Sequence, residues 1–324
     1  MRSLQAAGEI PSPQGKADTL SKVQDTMSMD KIGFIGLGNM GGRMTRCIVA
    51  GGIKVLGFDK DETAAERFGA MRASSTRQIM KQADVVFLSL PDSTVIEKVV
   101  EGEGGLLSHV RAGQIVADMS TASAASTRRI AAKFADSGAF YVDAGISGGA
   151  AAAEKGALTL MVGGDSGAID RLDPVFALIA KKIILMGESG SGHTAKLLNN
   201  FLNAVSLAAT AEVMIAGRKA GLDLHRLLEV LNASSGVNFA TLNRFPKIVD
   251  GDYLEGGLTS KLMTKDVLLY CDLLHELGVV SLNASGPMAS FGLATALGYG
   301  DVISNRVVDA IGDISGKIRL HEKD

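Results

Sequence analysis

Residues 31–41 read Lys-Ile-Gly-Phe-Ile-Gly-Leu-Gly-Asn-Met-Gly. An apolar run (32–35) leads straight into Gly36-x-Gly38-x-x-Gly41, the backbone pattern that a dinucleotide pyrophosphate requires. Gly36 permits the tight turn, Gly38 lets the main chain approach a phosphate, and Gly41 lets the next helix pack closely on the strand. Leu37, Asn39 and Met40 complete the turn. The helix that follows, with Met44, Ile48 and Val49 on one side, points its free N–H groups and positive dipole end at the anion. A second apolar run, 53–58, ends at Asp59. That is close to the spacing of a carboxylate that accepts bonds from the adenosine ribose. Asp59 repels a 2′-phosphate, so NAD is the expected cofactor; Lys60 beside it leaves NADP open.

These residues need a frame, and the chain supplies one. Short apolar runs at 84–90, 114–118, 140–143, 158–162 and 182–185 alternate with helical stretches from about 93 and over 123–136. Such runs suit strands covered on both faces, in a doubly wound sheet that starts out parallel. After the glycine-rich stretch 187–192 the strand signal stops. A long, heavily apolar helix is expected over 192–219, then helices over 259–277, about 287–297 and about 305–314, with Asp223 and Asn238 as caps. The expected layout is a polar extension over 1–28, a dinucleotide-binding α/β Rossmann domain over 29–189, and an all-α domain over 190–319. The extension, rich in Pro, Gly, Ser and Gln, reads as disorder or an expression remnant, and Met27 or Met29 as a possible natural start.

Composition narrows the function. The 324 residues are 46% apolar and 21% charged with a net charge of −2, so neither nucleic acid nor a membrane surface is an expected partner. No apolar run is expected to span a bilayer. The five histidines lack metal-ligand spacing, and Cys47 and Cys271 read as free thiols of a reducing, cytoplasmic compartment.

Three further segments carry a resemblance. Asp143-Ala144-Gly145-Ile146-Ser147-Gly148-Gly149, the Gly190-x-Gly192-x-x-x-Lys196-x-x-x-Asn200 run, and Met263-Thr264-Lys265-Asp266 resemble, in order, the substrate, catalytic and Lys-Asp signatures of the β-hydroxyacid dehydrogenases. With the cofactor turn, the resemblance spans residues 31 to about 315. It implies a 3-hydroxyacid substrate oxidised or reduced with NAD or NADP. Gly145 departs from the family's usual Pro, and this loosens the expected loop.

The resemblance places Lys196 as the proton-transfer group, which burial would suit by pulling its pKa toward neutrality. Asn200, one helical turn on, would hold the reacting oxygen or the amine. Ser147, Gly148 and Gly149 suggest a bend with free N–H groups for the substrate carboxylate, joined by Ser120. Thr121, Leu90, Pro91 and Lys265 match family contacts around the cofactor, and Phe239 a family aromatic near the substrate. His193, one turn before Lys196, reads as a bystander. Two other readings stand beside this one: an imine reductase-like enzyme and a non-catalytic dinucleotide-binding adaptor. Both differ from this chain in usually lacking the lysine. 6-Phosphogluconate dehydrogenase has a longer helical region. The broad apolar faces of the long helix predict a homodimer or homotetramer.

Overall fold

The computed structural model describes residues 31–321. The sequence-expected extension at 1–28 lies outside the described residues. An eight-stranded sheet forms the first layer system: β1 (Lys31–Ile35), β2 (Lys54–Phe58), β3 (Met71–Arg72), β4 (Val85–Leu88), β5 (Ile115–Asp118), β6 (Phe140–Ser147), β7 (Leu158–Gly163) and β8 (Ala180–Gly187). Their spatial order is β3-β2-β1-β4-β5-β6-β7-β8. The order reverses beside β1, and ligands of open α/β sheets bind at such a switch point.

Side chains alternate across the strands with period two. Ile32, Phe34, Phe87 and Val142 pack on Met44 and Ile48 of helix Gly41–Ala50 and on Phe176 of helix Ser166–Ile179. Ile35, Val86, Leu88 and Val116 face the opposite way, onto Ile79, Ile96, Ile130 and Phe134 of three other helices. Both faces are covered, as the apolar runs predicted.

The sequence reading missed some elements. β3 has only two residues, both exposed, and leaves no apolar signature. β7 runs antiparallel to β6, while the other strand pairs are parallel. β8 is a sheet edge and leaves Leu185 and Met186 largely exposed, so burial on both faces fails there.

Helix Ser191–Lys219 starts against β6 and β7 and continues into the helical layer, where it packs on helices Ser260–Glu276, Ser285–Ala294 and Val307–Ile314. By length and composition it is apolar enough to cross a membrane, which corrects the expectation that no run is. Its buried residues include Lys196, Asn200 and Thr210, and over half of its most apolar window lies inside the fold, as in a core helix. Asp223 and Asn238 cap helices as expected. The helix expected to reach 297 ends at Ala294, and the next turn is broken by Gly298 at φ +92°.

Candidate active site

The cofactor turn is built as its glycines require. Gly36 has φ +89°, and a Cβ there would fall 2.2 Å from the Ser89 carbonyl oxygen. A Cβ on Gly41 would fall 1.9 Å from Gly36 O, whereas one on Gly38 would meet nothing. Two glycines therefore serve packing, and the third leaves the approach to the backbone open. Helix Gly41–Ala50 has no side-chain cap and no acid in its first turn, so the positive end of its dipole is left for an anion. Asp59 Oδ2 accepts a 2.6 Å hydrogen bond from Leu37 N, and Oδ1 accepts from Asp61 N at 2.9 Å. This holds the carboxylate in the wall of a cavity of about 200 Å³ lined by Asp59, Lys60, Asp61, Glu62, Arg72 and Ser74. The turn and the cavity fit a dinucleotide.

Across the switch point, Ser120 Oγ accepts from Leu90 N at 2.9 Å and ties the ends of β4 and β5 together. Lys265 reaches over from helix Ser260–Glu276. Its Nζ donates to Pro91 O at 3.0 Å and Thr121 O at 3.1 Å, and pairs with Asp266 Oδ1 at 3.0 Å. Leu90, Pro91, Ser120, Thr121 and Lys265 thus gather at one edge. Nearby, Asn39 Nδ2 donates to Gly256 O at 2.6 Å, so the helical layer also touches the cofactor turn.

Lys196 is buried on the long helix. Burial pulls its pKa from 10.5 to about 8; Asp266 opposes that shift and Lys265 adds to it. Asn200 is buried too, and its Nδ2 donates to Asp266 Oδ2 at 2.5 Å. Asp266, itself 1% exposed, thus anchors both Asn200 and Lys265.

The sequence reading missed what aims this helix. Asp143, fully buried in β6, accepts from Gly190 N at 2.7 Å and from His193 N at 2.8 Å. A carboxylate on free N–H groups at a helix start satisfies both the hydrogen bonds and the dipole. Gly192 has no room for a side chain either, since its Cβ would lie 2.4 Å from Met161 O. A Cβ on Gly145 would lie 2.6 Å from Lys196 Cβ. Asp143 heads a quoted motif, and an acid inside an apolar strand was a signal available to find it. Asp266 closes the Met263–Asp266 segment, but with Lys261, Lys265, Asp272 and Glu276 on the same helix its charge alone did not single it out.

His193 is fully buried, and its Nδ1 shares a 2.7 Å hydrogen bond with Thr127 Oγ1. Ser147 ends β6, and Gly148 (φ +125°) and Gly149 (φ +70°) make the expected bend before helix Gly149–Glu154. Phe239 is 58% exposed rather than core, with the Arg244 guanidinium 5.7 Å from its ring centre.

Residues 31–187 match the family described as the NAD binding domain of 6-phosphogluconate dehydrogenase, and residues 190–310 the one described as the NAD-binding domain of NADP-dependent 3-hydroxyisobutyrate dehydrogenase. The chain is 37% identical to 2-(hydroxymethyl)glutarate dehydrogenase of Eubacterium barkeri, over 73% of this chain and 80% of the relative. It is 36% identical to NAD-dependent L-serine dehydrogenase of Pseudomonas aeruginosa, over 82% and 91%. The solved 3-hydroxyisobutyrate dehydrogenase of Mycobacterium tuberculosis with L-serine superposes with a TM-score of 0.80 at 30% identity, covering 87% of this chain and 99% of that one. The chain belongs to the β-hydroxyacid dehydrogenase family and is an NAD(P)-dependent oxidoreductase.

Proposed function

We propose that this member of the β-hydroxyacid dehydrogenase family interconverts a small 3-hydroxyacid and its semialdehyde, with Lys196 moving the proton. The bound dinucleotide supplies the hydride acceptor or donor. The observation that carries the reading is the burial of Lys196, which brings its pKa to about 8 and lets the amine both take and return a proton near neutral pH. One amide proton of Asn200 goes to Asp266, and the other is left to orient the reacting oxygen. The hydroxyls of Ser120 and Ser147 and the backbone N–H groups at Gly148 and Gly149 would hold the substrate carboxylate.

NAD is the favoured cofactor. Three carboxylates, Asp59, Asp61 and Glu62, line the ribose-end cavity against Lys60 and Arg72, and Arg72 is paired with Glu62 at 2.7 Å. That balance disfavours a 2′-phosphate. The free thiols Cys47 and Cys271 suit a reducing compartment, the cytoplasm. The long helix supports a homodimer or homotetramer. Leu198, Leu202, Val205, Ala209 and Val213 fall on one face, and Leu202 is 66% exposed. A second copy covering this stripe would bury it.

The test is nicotinamide absorbance with a panel of 3-hydroxyacids, semialdehydes and cyclic imines. Turnover of hydroxyacids and semialdehydes is expected. Turnover of cyclic imines alone would replace the reading with an imine reductase, and binding of cofactor without any turnover would replace it with an adaptor. Light scattering at micromolar concentration checks for the dimer or tetramer, and monomer alone would remove the reading.

A further inference from the structure

We infer that Arg244 recognises an anionic group at the far end of the substrate, so that the preferred 3-hydroxyacid carries a second carboxylate. This rests on the 3-hydroxyacid reading above and narrows it.

The argument begins with position. Arg244 Nη2 donates to Asn203 Oδ1 at 2.9 Å. Asn203 stands seven residues past Lys196 on helix Ser191–Lys219. Seven residues of α-helix turn the side chain to within about 20° of its starting direction and advance it about 10 Å. Lys196, Asn200 and Asn203 therefore share one face, with Arg244 at its far end. On the other side, Arg244 Nη1 donates to Asn305 Oδ1 at 2.8 Å, and Asn305 Nδ2 donates to Tyr253 O at 2.8 Å. Tyr253 opens the stretch whose Gly256 carbonyl accepts the bond from Asn39 of the cofactor turn. The guanidinium thus sits between the lysine-bearing face and the segment touching the cofactor turn.

Charge is the second step. Both partners of Arg244 are neutral amide oxygens, and among the described residues no carboxylate pairs with it. Arg306 and Arg319, also partly buried, do have such partners: Arg306 pairs with Glu255 and Asp309, and Arg319 with Asp309 and Asp313. Burial alone pulls the Arg244 pKa down to about 10. A desolvated cation without a counter-ion is costly, and the planar guanidinium matches a carboxylate with two parallel bonds. Of its five N–H donors, two are engaged. Phe239 covers one side of the group.

Length is the third step. A hydrogen bond from Lys196 to the reacting hydroxyl takes about 3 Å, and one from the guanidinium to a carboxylate about the same. In a five-carbon diacid the hydroxymethyl oxygen and the distal carboxyl carbon are five bonds apart, about 6 Å when extended. The total, up to about 12 Å, is of the same order as the roughly 10 Å of helix that separates Lys196 from Asn203, whose side chain Arg244 holds.

The experiment compares 3-hydroxy-2-methylpropanoate, with one carboxylate, and 2-(hydroxymethyl)pentanedioate, with two, in wild type, Arg244→Met and Arg244→Lys. The wild type should favour the diacid by about tenfold or more in kcat/KM, the weight of one charged hydrogen-bonded pair. Arg244→Met should abolish that preference, raising KM for the diacid about tenfold more than for the monoacid, and Arg244→Lys should restore part of it. Equal losses on both substrates, or an unchanged diacid, would overturn the inference. Calorimetric titration of glutarate into the enzyme saturated with NADH gives a readout independent of turnover. Glutarate binding that weakens about tenfold in Arg244→Met upholds Arg244 even where neither alcohol is oxidised, in which case the hydroxyacid reading alone falls. Glutarate binding indifferent to the substitution overturns the role of Arg244.

Discussion

Gly145 and Lys196 are packed so closely that a Cβ built on the glycine would stand 2.6 Å from the Cβ of the lysine and 3.1 Å from its Cγ. The resemblance had suggested that Gly145, in place of a proline, loosens a loop. The position is instead strand, the sixth residue of β6, and the missing side chain gives the lysine stem its clearance. Gly145→Ala should push the helix or the lysine aside. Overpacking of this kind costs about 1–3 kcal/mol. The expected result is a kcat at least about tenfold lower, since proton transfer depends on placement to within an ångström or so, with NADH affinity unchanged by fluorescence titration. Wild-type kcat in the variant would show that the contact is relieved without cost to the site.

Lys196→Ala should lower kcat by about 10²–10⁴, the usual worth of one positioned proton donor. Cofactor affinity should be retained, because the phosphate turn lies at Gly36–Gly41 on another element. Lys196→Arg should be nearly as inactive, since a guanidinium keeps its proton. His193→Ala should act on stability through the lost Thr127 bond and the cavity, with kcat far less affected. Stopped-flow rates and thermal melts separate the two effects; the reverse ranking would move the proton transfer to histidine.

The pH dependence follows from the same lysine. With its pKa lowered to about 8, oxidation should rise and reduction should fall as pH passes through that value. Asp266 raises the lysine pKa, so Asp266→Asn should move both midpoints to lower pH. Stability has a definite sign as well. Between about pH 8 and 10.5 the unfolded chain holds a proton that folded Lys196 has lost, so stability rises with pH across that window. Lys196→Met should remove that rise in denaturant titrations. A pH–rate midpoint unmoved by Asp266→Asn would detach the profile from Lys196.

Asp59→Asn should narrow the preference for NAD over NADP by about tenfold, roughly the worth of removing one charge close to the 2′-phosphate. It keeps an oxygen for Leu37 N, so the turn should hold. The ratio of kcat/KM for the two cofactors reads the effect, and an unchanged ratio would assign discrimination to Asp61 and Glu62 instead.

The sheet was legible because buried parallel strands write themselves as apolar runs, and the cofactor turn because three glycines and an acid at fixed spacing have few other uses. β3 stayed hidden, since two exposed residues leave no pattern. The reversal at β7 was hidden because an apolar run carries no direction. At the site, Lys196 and Asn200 were visible as a same-face pair, while Asp143, Asp266 and Arg244 were not assigned. Their roles depend on partners 47, 66 and 41 positions away in sequence, Gly190, Asn200 and Asn203, and only the fold joins them.

β6 carries one further consequence. Within eight residues it buries its apolar side chains in the sheet, holds the start of the long helix through Asp143, clears the lysine at Gly145, and ends at the Ser147 bend. Such a strand has almost no freedom to vary. Random mutagenesis under selection should leave it nearly untouched, and a new substrate preference would have to be written in the helical layer, where a side chain can be exchanged without unseating the chemistry.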